Sequence, residues 1–174
     1  MRYYFLDSSA LVKAYAEEPG SAQVQDMLRS ARAERPTARV LVCTLALPET
    51  ASAIVSKEAG RHITRSVATR LLDRLKQDFT GEHRPYIVIE VNEWITSDAA
   101  NHTRAYKLRG YDAVQLATAL AARASTPPDT EFYFVTADGA LANAARAENF
   151  DVKELPVWQP TPKGRKASVP AGGT

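Results

Sequence analysis

Cysteine occurs once in this chain, at Cys43. No intramolecular disulfide is therefore possible, and a reducing cytosol is the compartment that fits. Histidine is nearly as scarce. His62, His83 and His102 lie far apart without helical pairing, so they form no zinc ligand set and are expected to be ordinary surface side chains. Long apolar runs are missing too. None approaches the ~18 residues that a membrane helix needs, and Asp7 interrupts the apolar start too early for a signal peptide. Internal repeats are absent. What these gaps leave is the expectation of a soluble, cytoplasmic protein.

Excess charge is also lacking. The net charge is +2, and residues 159–174 contain Lys163, Arg165 and Lys166 with no acid, so the body of the chain before them is within one charge of neutral. A basic balance confined to such a stretch is weak support for a nucleic-acid partner, and partner arguments must rest on a site. The same stretch has three prolines and almost no large apolar side chains, so it is expected to be a disordered tail. Residues 1–158 then form one domain, since 174 residues at 45% apolar content suffice for one well-buried core and are short for two.

What the chain does have is a regular alternation of apolar strands and helices. Tyr3-Tyr4-Phe5-Leu6 has no polar alternation and reads as a strand buried on both faces, at the middle of a parallel sheet. It stops at Asp7. Ser9 can cap a short helix reaching Tyr15, and a second helix spans about 21–33. Val40-Leu41-Val42-Cys43 is the next strand; Pro48 suits the first turn of the helix after it, which holds Glu49 and ends by Gly60. A packing helix over 64–79 follows, with Val67, Leu71, Leu72, Leu75 and Phe79 on one stripe. Tyr86 to Val91 reads as a third strand, and a helix over about 93–107 is expected to end at Gly110. Asp112 opens another helix. Phe132-Tyr133-Phe134-Val135 is the fourth strand and runs into Thr136-Ala137-Asp138; an alanine-rich helix and a short edge strand over 152–155 complete the pattern.

This order implies an α/β fold: a three-layer α/β/α sandwich with a mainly parallel central sheet. Right-handed crossovers place the carboxyl ends of all strands on one edge, where ligand chemistry gathers in such sheets. Asp7, Glu49, Asp112 and Asp138 belong to that edge. The helix dipole alone favours acids in first turns, which is a sufficient reason for Glu49 and Asp112, and Asp138 can serve as an N-cap. Asp7 is harder to explain away, because it directly follows a fully apolar strand. Four carboxylates brought together repel one another unless they take up protons or a cation. Oxygen-only ligands select Mg²⁺ or Mn²⁺ over Zn²⁺. Other acids, among them Glu17, Glu18, Asp73, Asp78 and Asp98, are expected on solvated faces.

The strand-Asp7-Ser8-Ser9-Ala10-Leu11-Val12-Lys13 opening, Leu47-Pro48-Glu49, the run from Arg109-Gly110-Tyr111-Asp112-Ala113 to Leu120, and Val135-Thr136-Ala137-Asp138 together resemble the PIN-domain ribonucleases, specifically the VapC-type toxins. The resemblance covers residues 2 to about 156. It implies that Asp7, Glu49, Asp112 and Asp138 form an acidic pocket for Mg²⁺ or Mn²⁺, supported by Ser8 and Thr136, that hydrolyses RNA phosphodiester bonds. Lys13, Lys107 and Arg109 would then contact RNA phosphates. It further implies a homodimer silenced by a cognate antitoxin protein, for which Val12, Tyr15, Ile54, Val55 and Leu71 offer apolar surface if they are exposed. Within the family, a free-standing RNA-processing nuclease would have the same site, and a catalytically silent PIN-like adaptor would bind RNA or protein without cleaving. A haloacid-dehalogenase-like phosphatase needs a second Asp two positions after the first, where this chain has Ser9.

Overall fold

A computed structural model of the chain describes residues 1–82 and 84–159. His83 and nearly all of the expected tail lie outside the described residues. The elements follow in the order β1 (Arg2–Leu6), α1 (Ser8–Leu11) with a 3₁₀ turn (Val12–Ala14), α2 (Ser21–Arg32), β2 (Ala38–Cys43), α3 (Ala46–Ala59) and α4 (Arg65–Thr80). Then come β3 (Ile87–Ile89), α5 (Glu93–Tyr106), α6 (Gly110–Ala124), β4 (Glu131–Thr136), α7 (Gly139–Ala147) and β5 (Asp151–Glu154).

All pairings in the sheet are parallel, in the order β3-β2-β1-β4-β5. The expected α/β/α sandwich is thus observed, with β1 at its centre. Because successive side chains of a strand point to opposite faces, each strand feeds two cores. Tyr4, Leu6, Val40, Val42 and Val135 pack under α1–α4, whereas Phe5, Leu41, Cys43, Phe132 and Phe134 pack under α5–α7. The β1–β4 register stacks three pairs of rings, Tyr3 on Phe132, Tyr4 on Tyr133 and Phe5 on Phe134, with centroids 5.4–6.3 Å apart. Cross-strand aromatic pairs of this kind fix register as well as adding contact.

The chain extends outward from β1 to β2 and β3, then returns across β1 to β4 and β5. The point where that direction reverses lies between β1 and β4, and the crevice beyond their carboxyl ends is where open α/β sheets bind ligands.

Several expectations need correction. Asp7, not Ser9, is the N-cap of α1. The third strand is shorter than the apolar run 86–91, because β2 pairs with it only as far as Cys43 and the next backbone groups turn to Thr44; its Oγ1 accepts from Val91 N at 3.2 Å. Lys107, with φ of 56°, ends α5, and Gly110 instead begins α6. His102 is buried, between Asp98 (3.2 Å) and Glu148 (3.7 Å) and stacked on Tyr106. Val12, Tyr15 and Ile54 are core residues and Leu71 is partly buried against them; of the five positions considered as free apolar surface, Val55 is exposed.

Glu18 is not on a solvated face either. Its carboxylate meets Lys13 Nζ at 2.8 Å and Lys57 Nζ at 2.6 Å, and the three side chains are 4%, 1% and 7% exposed. The Trp158 ring covers Lys57 at 3.4 Å from its centroid. One carboxylate thereby joins the segment after α1 to the end of α3. Asp78 is likewise largely covered, accepting from Tyr15 Oη at 3.0 Å. Removing the charge of Glu18 would leave two buried ammonium groups without a counter-ion. Glu18→Gln should therefore lower unfolding free energy by about 3–5 kcal/mol, measured by urea denaturation; a loss below about 1 kcal/mol would show that the triad is not closed in solution.

Candidate active site

The edge beyond β1 and β4 is built from their last residues and from the starts of four helices, α1, α3, α6 and α7. Asp7 continues the β1–β4 ladder, its N–H donating to Val135 O at 3.1 Å. Its carboxylate is 2% exposed and accepts on both oxygens. Ala10 N donates to Oδ1 at 2.8 Å, Thr136 Oγ1 donates to Oδ2 at 2.8 Å, and Ser9 Oγ stands 2.9 Å from each. Thr136 and Ser9 extend the network to the β4 side: Asp138 N donates to Thr136 Oγ1 at 2.9 Å and Ala137 N to Ser9 Oγ at 2.8 Å. Asp138 itself caps α7, its Oδ1 accepting from Leu141 N at 2.9 Å, which leaves Oδ2 free.

On the other flank, Glu49 lies in the first turn of α3 and Asp112 in that of α6. Glu49 Oε2 accepts from Ser8 Oγ at 2.7 Å and from Gln115 Nε2 at 3.0 Å. Two of the four acids, Asp7 and Asp112, have raised pKa values. Burial pushes the Asp7 carboxyl up to about 7 against the hydrogen bonds it accepts, and the charge of Asp138 adds to the rise. Asp112 is also raised, by burial and then by Asp138 and Glu49, with Arg109 acting in the opposite direction. The charge of Asp138 thus acts on both Asp7 and Asp112, and that of Glu49 on Asp112.

Two residues here escaped sequence reasoning in these roles. Ser9 reads as a helix cap, yet its hydroxyl bridges Asp7 to the β4 end. Gln115 falls inside the run from Arg109 to Leu120 with no role read for it; the signal available was its spacing of three from Asp112, which puts both on one helix face. Its Oε1 is buried without a hydrogen-bond partner. Lys13 goes the other way: buried in the ion triad with Glu18, it is not available to an RNA phosphate. Lys107 and Arg109 are exposed.

The residues suit a hard divalent cation. The donor set is all oxygen; among the described residues Oδ2 of Asp138 and Oε1 of Glu49 accept no hydrogen bond, and the orphaned Gln115 Oε1 is an acceptor for a water. In this conformation no three of the acids, among the described residues, make a ready-formed ligand cage. Both oxygens of Asp7 are engaged by donors, Oδ1 by Ala10 N and Oδ2 by Thr136 Oγ1.

The family model described as PIN domain matches residues 4–147, which span the sheet from β1 through α7: the chain belongs to the PIN domain family. Within that family it is of the VapC type. It is 31% identical over 121 residues to Ribonuclease VapC45 of Mycobacterium tuberculosis strain CDC 1551 / Oshkosh, covering 70% of this chain and 77% of the relative, and equally to Ribonuclease VapC49 of strain H37Rv. The crystal structure of PAE2754 from Pyrobaculum aerophilum has the same fold, with a TM-score of 0.58 at 16% identity over 83% of this chain and 87% of that one.

Because folding raises the Asp7 pKa above its unfolded value, the native state holds a proton that the unfolded chain releases. Stability from this group is full below about pH 4 and is lost as pH rises through about 7. In chelator, Asp7→Asn should therefore gain on the wild type as pH climbs from 4 to 8, reaching at most about 4 kcal/mol. Paired urea melts across that range measure the gap, and a gap independent of pH would contradict the burial described.

Proposed function

We propose that this chain is a metal-dependent endoribonuclease and the toxin of a toxin–antitoxin pair. The observation that carries the reading is the convergence of Asp7, Glu49, Asp112 and Asp138 on one edge, with Thr136 joining Asp7 to Asp138 and Ser8 and Gln115 holding Glu49, in a chain whose relatives bear the name ribonuclease. Asp7, Asp138, Glu49 and Asp112 would hold one or two Mg²⁺ or Mn²⁺ ions. Such a cation, when bound, lowers the pKa of a coordinated water and offsets charge gathering on the scissile phosphate.

The chain's own side chains do the rest. Thr136, Ser9 and Ala10 N fix the Asp7 carboxylate, so that it does not reorganise as charge develops. Ser8 and Gln115 hold Glu49 by one oxygen, Oε2, so that the other would be the one offered to a ligand or water. Ser8 and Thr136 thus act as positioning residues. Arg109, whose charge acts on Asp112, and the exposed Lys107 would contact the phosphates of the RNA backbone. Hydrolysis adds one water across the phosphodiester and needs no other co-reactant.

A homodimer bound by an antitoxin protein belongs to the same proposal. A basic residue of the partner would compete for the four acids, while the exposed Val55 supplies apolar surface. No helix among the described residues is long and apolar enough to cross a membrane, and action on RNA in the cytoplasm is the setting proposed. Residues 1–158 form the nuclease domain, and residues 159–174 have no catalytic part.

Cleavage of total RNA by purified protein should appear with Mg²⁺ or Mn²⁺ and vanish in excess chelator. Asp7→Asn should lower it at least a hundredfold, to about the level expected when a preorganised charged group is removed, while circular dichroism stays unchanged. Expression of the wild type alone should arrest growth and that of Asp7→Asn should not. Undiminished cleavage by Asp7→Asn, or full activity in chelator, would overturn the mechanism.

A further inference from the structure

The chain has seven tyrosines, and six of them are accounted for. Tyr3, Tyr4 and Tyr133 stack within the sheet, Tyr15 and Tyr86 share a hydrogen bond of 2.9 Å, and Tyr106 donates to Glu148 and stacks on His102. Tyr111 has neither a ring partner nor a hydrogen bond to its hydroxyl among the described residues, and it is 55% exposed. It lies in the first turn of α6, next to Asp112, and lines a cleft of about 320 Å³ with Pro48, Glu49 and Ser52. That volume falls at the lower end of small-ligand sites, about 300–1,000 Å³. One wall of the cleft is therefore one of the four acids and another is a bare aromatic face.

We propose that Tyr111 is a stacking platform for an unpaired nucleobase of the RNA, the base of a nucleotide flanking the bond that is cut. This rests on the nuclease reading above and specifies its substrate as single-stranded at that position. The physical case is that a polyanion approaching four carboxylates gains little from charge alone. An uncharged ring stacked on a base supplies affinity without adding to the repulsion, and it tolerates any base because every base has a π-face. Asp112 is adjacent in sequence and Glu49 lines the same cleft, so a base held there brings its own phosphates to the acids. A base still paired in a duplex cannot present its face to the ring, which makes the site selective for unpaired RNA.

The test uses full-length protein carrying Asp7→Asn, so that nothing is cleaved, with fluorescein-labelled oligoadenylate of twelve nucleotides in Mg²⁺ buffer. Relative to this parent, adding Tyr111→Ala should weaken anisotropy-measured binding about tenfold, whereas Tyr111→Phe should retain it. A duplex of the same length should bind all three proteins alike. In otherwise wild-type protein, Tyr111→Ala should lower kcat/KM for single-stranded RNA by a similar factor, with light scattering showing an unchanged oligomeric state. The inference falls if Tyr111→Ala binds the single strand as the parent does, if the loss is equal for the duplex, or if it follows dissociation of an oligomer, which would mark Tyr111 as a protein contact. The first of these in an enzyme that still cuts RNA leaves the nuclease reading standing; absence of both cleavage and binding in the proteins with Tyr111 intact removes both.

Discussion

A carboxylate buried where the sheet reverses direction is the constraint on which the rest depends. Asp7 is 2% exposed at the end of the central strand, and burial there penalises its charge enough to lift the pKa to about 7. Only dense hydrogen bonding makes the ionised form tolerable at all. The donors come from both sides of the switch point, Ser9 and Ala10 from the turn after β1 and Thr136 from the end of β4. The pairing of β1 with β4 is thereby a condition of the site as well as of the sheet. The three stacked ring pairs that hold this register also hold the Asp7–Thr136 contact, because a slip of one residue would turn Thr136 to the opposite face.

A second tie operates from beneath. The site draws Ser8 from α1 and Glu49 from α3, two helices that touch the sheet on the same face. Farther along the same two segments, Glu18 clamps Lys13 to Lys57. One hydrogen bond of 2.7 Å at the top and one buried ion triad below fix the two arms against each other, so the position of Glu49 is set by two contacts on separate turns of α3. A charge-rich interior of this kind contributes orientation more than net stability.

The fold was legible because its central strands are apolar without alternation, and apolar runs of four to six residues between helical patterns have few other uses. The acids were legible for a related reason: Asp7 and Asp138 end such runs, and Glu49 and Asp112 open helices. What stayed hidden depends on distances that sequence does not encode. Lys13 carries a charge on a four-carbon stem, and nothing local tells whether its end meets solvent or a carboxylate five residues on. His102 looks isolated until the end of α7 brings Glu148 beside it. Ser9 and Gln115 hold ordinary places in helices, and their roles follow from the partners the fold brings, Thr136 and Glu49. Val12, Tyr15 and Ile54 look surplus to a narrow helical stripe, but a short helix and a 3₁₀ turn wedged between β1 and α3 bury residues on several sides.

The order in which the acids occur along the chain has a consequence for its synthesis. Thr136 and Asp7 join residues 129 apart, and Asp138 follows directly after. At ribosomal speeds of about 5–20 residues per second, the first acid waits on the order of ten seconds for the last. During that time β1 lacks its β4 neighbour and α7 does not exist, so the Asp7 network cannot close. A chain still being translated thus holds Asp7 and Glu49 in place without the contact that Thr136 makes, and the acidic edge closes only once β4 and the start of α7 have been made.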